Sequence, residues 1–374
     1  MKKLLLIALL CSKALWAESQ YPADISYMVA DLKYSKEYGL KICEIQHGIL
    51  STLIGDTMLN GENGLIPPQV IDVFKQFPAK KWSYTPQISC QSLLNVINNA
   101  LDWKKAATFD LLMNDYEFAQ TARKAPLDPS NVATYHGMLY VKPLTFTNYE
   151  QFQQSHPGIL LIDAATHPYW IDKYKMTRLF ASAPELAQVK PEWGLYAKIY
   201  TDMLAEQIQN DIGGDIFVIK PRGAFLGNGV IITSKEDLDQ TLQYILNKSP
   251  ALAADPDKSY RHWNKDSFDS FLVERYYPSD LICVAEHNNK LFEPTMRAAF
   301  ILIYNNHKIE FKFLGGYWLL PFKSVDEEGT LNERKKAYCK IPYFTQASES
   351  VLQEVQKSME ASIPVLYQQM LERK

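Results

Sequence analysis

The chain of 374 residues lacks the signatures that would place it at once. It has no internal repeat, no low-complexity tract and no run of like charges, which argues against a repeat array or a charged tail. A net charge of −3 argues against nucleic acid or an anionic membrane as the main partner. The seven histidines show no His-x-x-x-His spacing and the five cysteines no Cys-x-x-Cys, so the usual zinc and redox patterns are missing. Gly-x-Ser-x-Gly is absent, as is any Gly-Lys-Ser/Thr opening a helix, which excludes the hydrolase nucleophile elbow and the Walker loop. After the N-terminus no apolar run is long enough to span a bilayer.

What is present begins with that N-terminus. Lys2 and Lys3 precede an apolar run from Leu4 to Leu10, and Ala14-Leu15-Trp16-Ala17 offers a small-residue cleavage site. Residues 1–17 therefore read as a secretion signal, and the mature chain is expected to be exported, periplasmic or secreted, with no membrane insertion. Cys11 does not make a lipoprotein site, because Leu10 stands where a small residue is needed. Cys43, Cys90, Cys283 and Cys339 remain, either as two disulfides or as buried reduced thiols. With 47% apolar and 22% charged residues, the whole chain has the composition of a soluble globular protein of two or three domains.

Residues 24–48 read as two strands around the polar turn Ser35-Lys36-Glu37-Tyr38-Gly39. Residues 49–170 alternate helical and strand patterns. Ser92 to Ile97 looks helical, and the runs Gly137–Val141 and Gly158–Asp163 suit buried strands, an α/β arrangement. Further on, Leu195, Ile199, Met203 and Ile208 fall at helical spacing. Asp215–Lys220, Val230–Ile232, Phe271–Glu274 and Met296–Tyr304 read as strands, and Ser234-x-x-Asp237 as a cap before Leu238, Leu242 and Ile245. Val351, Val355, Met359, Ile363, Leu366 and Met370 form the stripe of a C-terminal helix that Pro364 should kink.

Two stretches carry chemistry. Asp31, read as ending the first strand, with Glu44 and Gln46 on the second, offers two carboxylates and an amide oxygen to one sheet face, a donor set that suits Mg²⁺ beside phosphates. Far downstream, Lys220 ends a strand and is followed at once by Arg222, Gly223, Gly227 and Gly229. Glycines let backbone N–H groups close over phosphate oxygens, and a lysine at the strand end adds a point charge. Taken alone, that loop is equally an ordinary strand–turn–strand hairpin.

The order of the parts resembles the ATP-grasp superfamily: Asp172-Lys173, strand and Lys220, glycine loop, strand, capped helix, Phe271-Leu272-Val273-Glu274, and Glu293 to Arg297. The resemblance implies that Glu274 receives the adenine amino group, that Asp280 holds the ribose hydroxyls, and that Lys173 and Lys220 bind phosphates. It further implies that Arg297 stabilises the transferring phosphoryl group. The family's closing Asp … Glu-x-Asn is not found after the helix of residues 348–372. Asp31, Glu44 and Gln46 supply it at the other end, with Gln for Asn, so the chain resembles a circularly permuted ATP-grasp protein. On this reading 1–17 is the signal, 18–60 the permuted metal-binding strands, 61–170 a preceding α/β substrate domain, and 171–374 the ATP-binding domain. The resemblance covers 24–48 and 171–322 by motif and the middle by position.

The activity implied is an ATP- and Mg²⁺-dependent ligation of a carboxylate to an amine through an acyl phosphate. A small-molecule kinase on the same fold is the alternative, as is a secreted non-catalytic protein with a degenerate ATP site. Export conflicts with the need for ATP, unless the protein reaches another cell's cytosol or residues 1–17 are not cleaved.

Overall fold

The computed structural model describes residues 21–48, 53–84, 99–141, 148–170, 172–224 and 227–372. The expected signal, Cys90 and the helical run of residues 92–97 lie outside them, as do Phe225 and Leu226 of the glycine loop. Strands β1 (Asp24–Ser35) and β2 (Gly39–His47) form an antiparallel hairpin, with Gly39 in the left-handed region at φ 65°. Asp31 does not end its strand: β1 continues to Ser35. Next come four short parallel strands, β3 (Lys80–Tyr84), β4 (Lys104–Ala106), β5 (Gly137–Val141) and β6 (Ile159–Leu161), in the order β4-β3-β5-β6. Strands β7 (Trp193–Ala197), β8 (Ile216–Pro221), β9 (Ile231–Ser234) and β10 (Ser270–Arg275) make a separate antiparallel sheet, ordered β7-β10-β8-β9. After the small pair β11 (Ile282–Val284) and β12 (Lys290–Phe292), the chain adds β13 (Thr295–Asn305), β14 (Lys308–Leu319) and β15 (Phe344–Gln346). These three return to the first hairpin in a five-stranded sheet, β15-β14-β13-β1-β2. The architecture is mixed α/β.

β1 lies between β13 and β2 and is buried on both faces, which suits its continuous apolar run Tyr27–Ala30. Met28, Ala30 and Leu32 join Met296, Ala298, Phe300 and Trp318 in one core, under the C-terminal helix Glu349–Glu372. Ile25, Tyr27 and Val29 turn the other way, against Val70, Phe74, Met138 and Leu160 of the parallel-sheet region. Burying each such aliphatic side chain stabilises by roughly 1.5–3 kcal/mol. Truncating Ile25 to Ala would leave a cavity costing about 2–5 kcal/mol.

Val355, Met359, Ile363, Leu366 and Met370 are buried as the helical stripe predicts, and the helix runs on through Pro364. The spacing of Leu195, Ile199, Met203 and Ile208 misleads. Leu195 lies in β7 opposite Leu272 of β10, while Ile199 and Met203 are 68% and 63% exposed in the following turn. The helix starts only at Leu204 and buries Leu204, Ala205, Ile208 and Ile212. Pairing with β10 overrides an accidental helical period.

Candidate active site

The site is assembled where the hairpin β1–β2 meets β13 and the small antiparallel sheet. Asp31 stands directly opposite Glu44 on one side and Arg297 on the other. Residues opposite one another on neighbouring strands share a face, so all three project together. Arg297 grips Asp31 with a fork, Nε to Oδ1 at 2.7 Å and Nη2 to Oδ2 at 2.7 Å. Gln46 joins the face, its amide nitrogen 3.5 Å from Asp31 Oδ2. Lys173, first residue of the helix Lys173–Leu179, reaches across to Glu44 Oε1 at 2.8 Å and also donates to the Ala224 carbonyl in the glycine loop.

Between Asp31 and Leu32 the β1–β2 register slips: Asp31 faces Glu44 and Leu32 faces Ile42, leaving Cys43 as a bulge. The bulge turns the Cys43 carbonyl toward two lysines. Lys220 Nζ donates to it at 3.0 Å, and Lys190 Nζ lies 3.3 Å from the carbonyls of both Ile42 and Cys43.

Both lysines also bind Glu274, Lys190 to Oε1 at 2.7 Å and Lys220 to Oε2 at 2.5 Å. On β8 and β10 the pairs Lys220–Leu272 and Val218–Glu274 share one face. The alternate residues Phe217, Ile219, Phe271 and Val273 fill the small sheet's own core. That alternation aims Lys220 and Glu274 away from their own core and at the hairpin. Lys190 carries no signal of a site residue in the sequence; it precedes β7 with no motif around it, and only the fold brings it to Glu274.

Arg222 forms a fork on Asp172, with Nε at 3.2 Å and Nη2 at 2.5 Å, and donates to Ser270 Oγ at 3.1 Å. Its carbonyl accepts from the Lys173 N–H at 3.0 Å, so it ties the loop to the start of Lys173's helix. A side chain on Gly223 would strike the Phe268 ring. Gly227 and Gly229 are left-handed, at φ 68° and 74°, and a Cβ on Gly229 would lie 2.5 Å from Pro221 Cγ. Lys336, a second lysine with no motif around it, bonds the Val230 carbonyl at 3.1 Å and Ser259 Oγ at 2.6 Å, its stem against Gly227. It comes from the long connection between β14 and β15, which bridges to the small sheet through Asn332 and Ile232 N, 2.7 Å apart.

Asp280 is not part of this assembly. It is exposed, accepts from the Lys36 N–H at 3.1 Å, and lines a different cavity from Glu274. The Asp280 amide bonds the Tyr34 carbonyl at 3.1 Å, which fixes Asp280 beside the hairpin. Glu274, expected to face a nucleotide base, has both carboxylate oxygens on lysines.

Burial opposes the charges of Glu44, Glu274 and Arg297, and there the opposite charges outweigh it. Despite burial, Lys173 holds the Glu44 carboxyl below its usual range, and Lys190 and Lys220 do the same for Glu274. Burial works against the charge on Arg297, yet Asp31 keeps it firmly protonated. Burial, partly offset by Glu274 and reinforced by the neighbouring Lys220, lowers Lys190. Burial raises the Cys43 thiol, which stays protonated. Cys43, Cys283 and Cys339 are free thiols.

Among the described residues no cluster of three or more His, Cys, Asp or Glu side chains is placed to hold a metal. Asp31, Glu44 and Gln46 nevertheless make an all-oxygen donor set, once the Gln46 amide makes a half-turn. Their two carboxylates, facing each other on neighbouring strands, already depend on positive charge from Arg297 and Lys173. No helix of the described residues is long and apolar enough to cross a membrane.

No family model matches the chain, and no curated protein matches it. Among solved structures, D-alanyl-alanine synthetase A of Vibrio cholerae O1 biovar eltor superposes with a TM-score of 0.31 at 10% identity, over 60% of this chain and 57% of that one. The biotin carboxylase domain of Hydrogenobacter thermophilus 2-oxoglutarate carboxylase, solved with MgADP, ADP and bicarbonate, gives 0.31 at 11% identity, over 67% of this chain and 61% of its own. Biotin carboxylase of Campylobacter jejuni in complex with β,γ-ATP gives 0.31 at 12% identity, over 82% and 68%. The match thus spans less than two thirds of the first two proteins, and likenesses this slight carry no argument about the site.

Proposed function

We propose that the chain is an ATP-dependent ligase of the ATP-grasp type, circularly permuted, that joins a carboxylate to an amine. One observation carries the reading: Asp31 and Glu44 from the N-terminal hairpin meet Lys173, Lys220, Glu274 and Arg297 from the far part of the chain in one charged site. A permutation requires that juxtaposition, since the metal-binding strands must lie beside β13 whichever end of the chain they occupy.

The four cations Lys173, Lys190, Lys220 and Arg297 now sit on carboxylates. An arriving triphosphate offers them stronger acceptors, so they are preformed and stored rather than free. Mg²⁺ held by Asp31, Glu44 and Gln46 would supply charge neutralisation on the β- and γ-phosphates. Lys173 and Lys220 flank the glycine loop and hold the phosphate chain, and Arg297 takes up charge on the transferring phosphoryl group. A substrate carboxylate oxygen attacks the γ-phosphorus, the bond to the bridging oxygen breaks and ADP leaves. A neutral amine then attacks the acyl carbon, the phosphate departs with the former carboxylate oxygen, and the amine nitrogen loses a proton.

Isothermal titration of ATP, with and without Mg²⁺, tests this on the parent chain and on Lys220→Ala and Glu44→Gln. Magnesium-dependent binding weakened at least tenfold by both changes is expected. A folded parent that binds no ATP would overturn the reading.

A further inference from the structure

The cavity that holds Asp280 lies on the other side of the five-stranded sheet from the charged site. Trp318 pairs with Thr345 across β14 and β15, and both line it, whereas the neighbouring residue Tyr317 lies opposite Arg297. Alternate residues face opposite ways, so Trp318 opens on the face of Leu32 and Met296, away from Asp31. The cavity measures about 190 Å³. Its walls are the rings of Tyr34 and Trp318 and the aliphatic side chains of Ile282 and Val351, with Asp280 and the Cys283 thiol beside them.

Two carboxylates lie near it, Asp280 and Glu354. Asp280 accepts from a backbone N–H and has no ion pair among the described residues. Burial, with Glu354 and Asp280 adding to it, pushes the Tyr34 hydroxyl up, which places a second carboxylate within electrostatic reach. The start of the C-terminal helix also borders the cavity, but the Ser348 hydroxyl accepts from the Val351 N–H at 3.4 Å and Glu349 stands in the first turn. Both offset the positive helix end, so the cavity does not favour an anion. Aromatic walls and an unpaired carboxylate are the combination that recognises an organic cation.

We propose that this cavity is a second binding site, for a small organic ammonium ion whose aliphatic part lies between Tyr34, Trp318 and Ile282 and whose charge meets Asp280. The site stands apart from the nucleotide reading and does not depend on it.

The exposed Cys283 thiol, 3.3 Å from the Asn289 carbonyl, gives a local readout. The rate at which iodoacetamide alkylates Cys283 in the full chain, followed by peptide mass spectrometry, is measured against n-pentylammonium, n-pentanol and pentanoate. These probes share an aliphatic chain and differ in charge. Pentylammonium is expected to slow alkylation at concentrations at least tenfold below those at which pentanol acts, with pentanoate inert. Asp280→Asn, an exposed change that leaves the fold intact, should abolish that preference while Cys283 still reacts. Equal protection by all three probes, protection by pentanoate, or no protection by any would overturn the proposal. So would protection by Mg-ATP alone, which would return Asp280 to a nucleotide role.

Discussion

Asp31 and Arg297 are 266 residues apart in the chain and directly opposite each other on β1 and β13, joined by two hydrogen bonds of 2.7 Å. The pair fastens the N-terminal hairpin to the distal strands at the point where the charged site begins. It is nearly buried, with the arginine side chain 7% exposed and the aspartate 17%. Removing one partner strands the other in low dielectric. Arg297→Ala is expected to destabilise the chain by about 3–5 kcal/mol. Arg297→Lys keeps the charge, loses the fork and should recover part of that loss. Urea unfolding of the two variants beside the parent decides it; equal and small losses would mean that the pair contributes little.

Lys190 shares Glu274 with Lys220, and taking it away leaves that carboxylate one cation instead of two. The folded Glu274 carboxyl lies below its ordinary value, because the two lysines outweigh its burial. A depressed carboxyl contributes stability that is present above its unfolded pKa and lost as pH falls through the folded one. In Lys190→Met the folded value moves up, so this acid loss should set in at higher pH than in the parent. Melting temperatures between pH 3 and pH 7 report it, and parallel profiles for the two proteins would count against the shared carboxylate.

The fold was legible where local pattern and long-range pairing agree. The two strands of residues 24–48, the strand that carries Lys220 and the C-terminal stripe all satisfy both. The site was legible as a set of residue types in order. Asp31, Glu44, Gln46, Lys173, Lys220, Glu274 and Arg297 do converge, because each projects from an element the fold needs in any case. Lys190 and Lys336 were not legible, since a lone lysine in a connection carries no pattern until the tertiary structure gives it a partner. Asp280 misled because proximity in sequence to Glu274 says nothing about which side of a sheet the chain reaches after a turn. The Cys43 bulge, which sets the carbonyl that both Lys190 and Lys220 bind, is a property of register and has no signature in a single strand.

Gly229 is the position of the loop least able to bear a side chain. Its φ of 74° is left-handed, and an added Cβ would meet Pro221 Cγ at 2.5 Å and His262 Cδ2 at 2.8 Å. Left-handed strain costs about 1–2 kcal/mol, and the contact adds roughly 1–3 kcal/mol more unless the loop shifts. In Gly229→Ala the loop should move off its present path, weakening ATP binding at least tenfold while the far-UV circular dichroism stays that of the parent. Unaltered nucleotide affinity in this variant would show that the loop does not carry phosphate.

Asp24 lies fully buried at the start of β1, accepting from Ser26 Oγ at 2.7 Å, from the Ala165 N–H at 3.0 Å and from the Tyr367 hydroxyl. Burial raises its carboxyl from 3.8 to about 6, and these bonds offset only part of that rise. The folded chain therefore keeps a proton over a range of pH where the unfolded chain has released it. A raised carboxyl contributes stability that is fully present below the unfolded value and lost as pH rises through the folded one. Stability from this group should thus decline between about pH 4 and pH 7, by up to roughly 3 kcal/mol, because a tenfold change in proton affinity corresponds to ~1.4 kcal/mol. Asp24→Asn removes the titration and leaves an amide whose oxygen can accept from Ala165 and whose N–H can donate to Tyr367 or Ser26. Relative to the parent, the variant should therefore gain stability at pH 8 compared with pH 4, read as the change in the urea midpoint difference between the two pH values. A difference that does not vary with pH would mean that Asp24 titrates normally, with water reaching it through the contact between β1 and the C-terminal helix.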